Sequence, residues 1–165
     1  MSTLVPLLLT QRLRLRQILS TDMHYLYPIS FYNGLPIHTE EGIRNKLAKI
    51  NEDIQSGNSL HWGIELTENT ILIGTVGFYR GFKNKTGEIG YILTEGYRRK
   101  GYMLEAVTRV VEFGFTELGL DKIKAYTMGD NTASIQLLLK AGFNEMLSDN
   151  RAYRMFVCLH PDKPC

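Results

Sequence analysis

The chain has 165 residues, 44% of them hydrophobic, which is enough for one domain with a sizeable core and gives no sign of a second. Its 19 basic and 17 acidic residues leave a formal net charge of +2, which argues against a general nucleic-acid binder but not against a local anion site. Its cysteines, Cys158 and Cys165, form no C-x-x-C pair or Cys/His cluster with metal-ligand spacing, so no metal is expected.

The opening apolar run, LVPLLL, lacks a basic n-region and is too short for a signal peptide. No stretch approaches the roughly 20 apolar residues that span a bilayer. A cytoplasmic protein with reduced thiols, without membrane partners, is expected. RLRLR, residues 12–16, alternates strictly and reads as a half-buried first strand with Leu13 and Leu15 inward. Thr21 and Asp22 suit the start of a short helix through MHYLY. Thr39, followed by Glu40 and Glu41, suits a second helix start. Ile43, Leu47, Ile50 and Ile54 then recur at helical spacing until Gly57 and Asn58 stop it.

Residues 60–66, 71–80 and 87–93 read as strands joined by turn-rich connections, an antiparallel meander. From Met103 the period changes to helical: Val107, Val110, Val111, Phe115 and Leu118 share a face that closes at Gly119. Residues 121–127 alternate as a strand, 130–142 form a helix ended by Gly142, and FNEML with RAYRMFVCLH reads as a hairpin. The order is β-α-α-β-β-β-α-β-α-β-β, an α/β arrangement with a mixed sheet.

The stretch EGYRRKGYMLEA places Arg98, Arg99, Lys100 and Gly101 between a strand ending at Leu93 and a helix beginning near Tyr102. A first helical turn has N–H groups without intrahelical partners, and its dipole favours negative charge. Gly101 allows close backbone approach to a phosphate. The loop is neither a P-loop nor a dinucleotide fingerprint. By itself it reads equally as an anion seat or a solvated turn.

YRRKGYMLEA resembles the R-x-x-G-x-[GA] pyrophosphate loop of the GNAT superfamily of acyl-CoA N-acyltransferases, with Arg98 and Gly101 on the pattern. LLTQRLRLR, ILIGTVGF, GEIGYIL and NTASIQLLLKAGF resemble, in order, further segments of its RimJ/RimL-like branch, so the resemblance spans nearly the whole chain. It implies a single GNAT domain over residues 1–165, with a twisted mixed sheet of about six to seven strands flanked by helices. Arg99 and Met103 depart from the pattern, which usually has glycine and a small residue there. A methionine side chain at 103 is expected to crowd the approach of a pyrophosphate.

The resemblance implies acetyl-CoA as co-substrate and direct attack on its thioester by an amine acceptor. It assigns cofactor binding to Ile92 and Leu93 through their backbones, to Arg98, Arg99, Lys100, Gly101, Tyr102 and Met103 in the loop, and to Asn131, Ser134 and Lys140. Ser134 is also the candidate general acid. Read only as residues, Asp130 or Asn131 is more simply a helix cap and Ser134 an incidental early-helix serine, while Lys140 is equally a cation near a helix C-terminus. Glu88 ranks first as general base, against the plainer reading of an exposed strand carboxylate. His61 is also a candidate, against the plainer reading of a packed or surface histidine beside Trp62, and Glu105 is expected to stabilise its helix. Tyr25 to Thr39, with three tyrosines and Phe31, falls where the family builds its acceptor wall.

The chain is thus expected to be an N-acetyltransferase acting on a peptide N-terminus or small amine, as a monomer or homodimer. The rivals are a non-catalytic acyl-CoA-binding domain and a nucleic-acid binder using Arg12, Arg14, Arg16 and Arg98 to Lys100.

Overall fold

The computed structural model describes residues 5–32, 35–148 and 150–163; Cys165 and part of the expected acceptor wall and final turn lie outside them. The strands are β1 (Leu8–Leu9), β2 (Leu13–Arg16), β3 (Phe31–Tyr32), β4 (Leu35–Pro36), β5 (Leu60–Leu66), β6 (Leu72–Tyr79), β7 (Thr86–Leu93), β8 (Lys122–Met128), β9 (Asn144–Met146) and β10 (Tyr153–Leu159). The α-helices are α1 (Met23–Leu26), α2 (Glu40–Gln55), α3 (Tyr102–Thr116) and α4 (Thr132–Lys140). Eight strands form one sheet in the order β1-β2-β5-β6-β7-β8-β10-β9, and β3 pairs with β4 apart from it.

The main sheet has one strand more than the sequence suggests, because Leu8 and Leu9 pair with Leu15 and Arg14 across a tight turn. So short a strand leaves no periodic signal. The expected first helix shrinks to one turn of α1 between 3-10 turns, with Pro28 at the start of the second. The helix expected from 130 starts at Thr132.

Helix α2 begins as its sequence suggests: the Thr39 hydroxyl accepts from the Gly42 N–H at 3.1 Å. Ile43, Leu47 and Ile54 are buried, and Ile43 and Leu47 with Leu26 and Ile29 cover one face of the sheet. Helix α3 covers the other, burying Met103, Ala106, Val107, Val110, Val111, Phe113 and Phe115 against Trp62, Val76, Phe78 and Ile89. Trp62 meets Phe113 edge to face at 5.5 Å and donates its indole N–H to the Pro6 carbonyl. Each large apolar side chain buried this way contributes about 1.5–3 kcal/mol. Leu118, expected on the same helical face, lies beyond the end of α3 and is exposed, since the chain turns at Gly119 with φ +65°.

All neighbouring strands of the main sheet are antiparallel except β7 and β8, which α3 joins as a crossover. Strand β5 is buried along its whole length because helices cover both faces there.

Candidate active site

The parallel pair β7–β8 opens partway. Its register runs Thr86↔Lys122, Gly87↔Ile123, Glu88↔Lys124 and then stops, although both strands continue. Each stays with its other neighbour, β7 with β6 from Glu88 to Leu93 and β8 with β10 from Lys122 to Met128. Thr94 N–H bonds the Ile73 carbonyl and Asp121 N–H bonds the Lys85 carbonyl, both at 2.8 Å, which sets the alternation along β7. Backbone groups of Ile89, Tyr91 and Leu93 therefore face the gap, while those of Ile92 face β6. Of the two residues expected to pair with a pantetheine arm, only Leu93 is oriented for it. Its carbonyl accepts from Arg98 Nε at 3.1 Å, leaving its N–H free for a ligand.

The basic loop follows directly. Gly101 caps α3 with φ +81°, and Arg99 also takes a left-handed φ of +62°. That conformation explains why a glycine suits position 99 and why arginine is strained there. The N–H groups of Tyr102, Met103 and Leu104 at the start of α3 have no partner among the described residues, and the first helical bond is from the Glu105 N–H to the Gly101 carbonyl at 3.1 Å. Met103 is 7% exposed and its side chain belongs to the core under α3, so the expected crowding does not arise. Only its backbone N–H is offered to a ligand. Arg98, Arg99, Lys100 and Gly101 line the surface, with Lys100 Nζ 5.7 Å from the Tyr97 ring centroid.

The loop is clamped from the far side of the chain. Glu105, in the first turn of α3, accepts from the Thr10 hydroxyl at 2.6 Å, the Arg12 N–H at 2.8 Å and Arg12 Nε at 2.7 Å. Arg12 also donates to the Lys100 carbonyl at 3.0 Å and lies over the Tyr102 ring. Burial pushes the Glu105 carboxyl up, but the Thr10 and Arg12 bonds outweigh it and hold it below its usual range. Glu105 thus stabilises the helix start, as the sequence suggests. Arg14 and Arg16 are likewise engaged, with Glu65 and with Glu65 and Asp22 respectively, so these strand arginines are not a free basic patch.

At the gap, the Tyr91 hydroxyl lies 2.7 Å from Ser134 Oγ. Burial raises the Tyr91 phenol above its ordinary value, and the Ser134 bond lowers it in part. Tyr91 is thus a protonated hydroxyl linked to a second one, a pair able to pass a proton. The sequence does not single it out: GEIGYIL shows only alternation, and the opening that gives Tyr91 meaning is a matter of pairing. Asn131 caps α4 by accepting the Ser134 N–H at 3.2 Å. Lys140 is exposed in the last turn of α4, about 9 Å along the axis from Ser134.

Glu88 lies on the opposite face of β7, about 10 Å along the strand from Tyr91. It accepts from Arg80 at 2.8 Å and lines a cavity of about 340 Å³ with Asp53, Ser59, His61 and Tyr79. A second cavity of about 340 Å³ shares Asp53, His61 and Tyr79 and continues past Thr75 and Ile92 beneath α2 and Phe31. Burial pulls the His61 imidazole down to about 4, which leaves it neutral near pH 7. Thus Glu88 and His61 face one side of the sheet, whereas Ser134 and the basic loop serve the other. A nucleophile arriving from the α2 side and a leaving group on the α4 side would meet at the gap.

Among the described residues no His/Cys/Asp/Glu group could hold a metal ion, and no helix is long and apolar enough to cross a membrane. Residues 12–144 match the family model described as an acetyltransferase (GNAT) domain. The N-acetyltransferase YoaA of Bacillus subtilis, named as uncharacterized, is 36% identical over 150 residues, covering 85% of this chain and 84% of that protein. YjcK of the same organism, named a probable N-acetyltransferase, is 33% identical over 128 residues, 76% of this chain and 71% of its own. The fold matches a ribosomal-protein-S5-alanine acetyltransferase from Vibrio fischeri with a TM-score of 0.75 at 21% identity, covering 97% of this chain and all of that one. It also matches a coenzyme A complex of RimL, a ribosomal L7/L12 alpha-N-protein acetyltransferase, with a TM-score of 0.83 at 16% identity, covering 93% and 98%.

Proposed function

Because the chain belongs to the GNAT family of acetyltransferases, we propose that it transfers the acetyl group of acetyl-CoA to a primary amine, at a peptide N-terminus or on a small molecule, by direct attack. The observation that carries this reading is the gap between β7 and β8 with the Tyr91–Ser134 pair on its α4 side.

The N–H groups at the start of α3, with Arg98, Arg99 and Lys100 around them, are suited to a pyrophosphate. Outward-facing backbone groups of Tyr91 and Leu93 offer strand-like pairing to a pantetheine arm. The acetyl thioester then lies between the two faces of β7. An amine entering from the α2 side attacks the carbonyl carbon, the C–S bond breaks as the tetrahedral intermediate collapses, and the thiolate takes a proton from the Tyr91–Ser134 pair. Glu88, about 10 Å along β7, receives the proton of the attacking ammonium through water rather than directly. Asn131 positions Ser134 by capping its helix, and Lys140 supplies a cation near the end of α4.

Relatives that are themselves named N-acetyltransferases disfavour a non-catalytic acyl-CoA-binding domain. The test is release of free thiol from acetyl-CoA across a panel of amines and short peptides. Acceptor-dependent release is expected; none with any acceptor, despite thermal stabilisation by acetyl-CoA, would return the chain to the non-catalytic reading.

A further inference from the structure

The acceptor side of the gap already holds an amine. Lys46, in α2, lines the cavity that runs past Thr75 and Ile92. Those two residues face each other across β6 and β7, and β7 has parted from β8 before Ile92 is reached, so this cavity lies over the acceptor face of the open stretch. Ile92 packs against the cluster that contains Ile43 and Leu47, the neighbours of Lys46 on α2. Among the described residues no other lysine lines this cavity or the one beside Glu88.

The fold leaves that amine uncommitted. Lys46 is half-buried and makes no ion pair or hydrogen bond with any described residue. Asp53, the carboxylate in its cavity, is held at 3.1 Å by the exposed Lys49. Burial pulls the Lys46 amine below its ordinary value, so more of it is neutral and nucleophilic than in an exposed lysine. A lysine serving only to cover apolar side chains would carry its amine out to water, where it would react like any other surface lysine.

We propose that Lys46 is a self-acetylation site, the chain transferring the acetyl group of its own bound acetyl-CoA to Lys46 Nζ. The proposal rests on the acetyl-transfer reading of the gap. The neutral Nζ attacks the thioester carbonyl carbon, the N–C bond forms, the C–S bond breaks, and coenzyme A leaves as the thiol. Of the two protons that the ammonium gives up, one ends on the sulfur and the other in water. The product is a neutral amide, so the step also removes a half-buried, unpaired charge.

Incubating the full chain with acetyl-CoA and no added amine tests it, read by peptide mass spectrometry and by thiol release. Lys46 should be marked faster than Lys49 on the same helix by about tenfold or more, as a positioned amine would be. The rate should saturate with acetyl-CoA and be independent of protein concentration, and a single equivalent of thiol should be released per chain. Lys46→Arg should abolish that release. An unmarked Lys46, a mark no faster than that on Lys49, a rate linear in acetyl-CoA, or one that rises with protein concentration overturns the proposal. If Lys46→Arg does not fold, the wild-type peptide map alone decides. Thiol release with added amines separates the two claims. Acceptor-dependent release with Lys46 unmarked removes self-acetylation and leaves the acetyl-transfer reading standing. No release with any acceptor and no mark removes both.

Discussion

Tyr91 and Ser134 meet hydroxyl to hydroxyl at 2.7 Å across the mouth of the open strand pair, one from β7 and the other from the first turn of α4. Two residues 43 positions apart in the chain thereby form one hydrogen-bonded pair of hydroxyls. Tyr91→Phe and Ser134→Ala should each lower kcat by about 10²-fold or more, the usual contribution of a positioned general acid, with little change in the KM for acetyl-CoA. If the two act as one relay, the double variant should be no slower than the worse single one. Steady-state thiol release measures both, and unchanged turnover in either single variant removes that residue from the relay.

Glu105 should matter to cofactor binding without touching the cofactor. Its carboxylate holds Thr10 and Arg12 against the loop that ends at Gly101. Glu105→Gln keeps the shape but gives up the charge, and should destabilise the fold by about 1–3 kcal/mol, since Arg12 loses a charged partner. Denaturant melts report the stability, and coenzyme A titration should show a weaker Kd because the loop is less well held.

Arg99 presents the opposite balance. Its φ of +62° is a left-handed conformation that an arginine occupies at a cost of about 1–2 kcal/mol and glycine does not. Arg99→Gly should therefore raise the melting temperature of the free protein if strain relief exceeds the added chain entropy. It should weaken coenzyme A binding, and the loss should shrink at high salt, where the missing charge is screened. Arg98→Ala should weaken binding as well, without any gain in stability, because Arg98 also bonds the Leu93 carbonyl.

His61 gives the fold a defined acid sensitivity. Its folded value of about 4 lies below the ordinary 6.5, so the unfolded chain binds the proton first as pH falls. The stability it contributes is complete above pH 6.5 and is lost progressively toward pH 4, about 3 kcal/mol in all at 1.36 kcal/mol per unit. His61→Gln should flatten that part of the stability-pH curve. A wild-type curve that is level between pH 6.5 and 4 would show that His61 is not buried neutral.

Much of this arrangement was legible from residues, for reasons that differ by element. Helices α2 and α3 announce themselves by apolar spacing, and α2 also by Thr39 at its start. Met103 illustrates a conflict between two kinds of reading. Helical spacing puts it on the same face as Val107 and Val110, whereas the motif pattern puts it against a pyrophosphate. Its burial at 7% sides with the spacing. The opening of β7 from β8 had no signal, because it depends on which neighbour each strand keeps over its last residues. Tyr91 carries no signal for the same reason, and neither does the orientation of Ile92 away from the gap. The cavities beneath α2 share Asp53, His61 and Tyr79 from three separate elements, and no local pattern joins them.

The short register between β7 and β8 also bears on how the molecule comes apart. Beyond three residue pairs, the piece made of β8, α4, β9 and β10 is joined to the rest by side-chain packing and the α3 crossover rather than by a continuous ladder. A ligand arm lying in the gap would act as an additional strand, bonded to β7 on one side. Occupancy would then do more than raise stability by mass action: it would splice two half-sheets into one cooperative unit. Amide exchange in β8 and β10 should slow on ligand binding as much as exchange in the loop that touches the ligand.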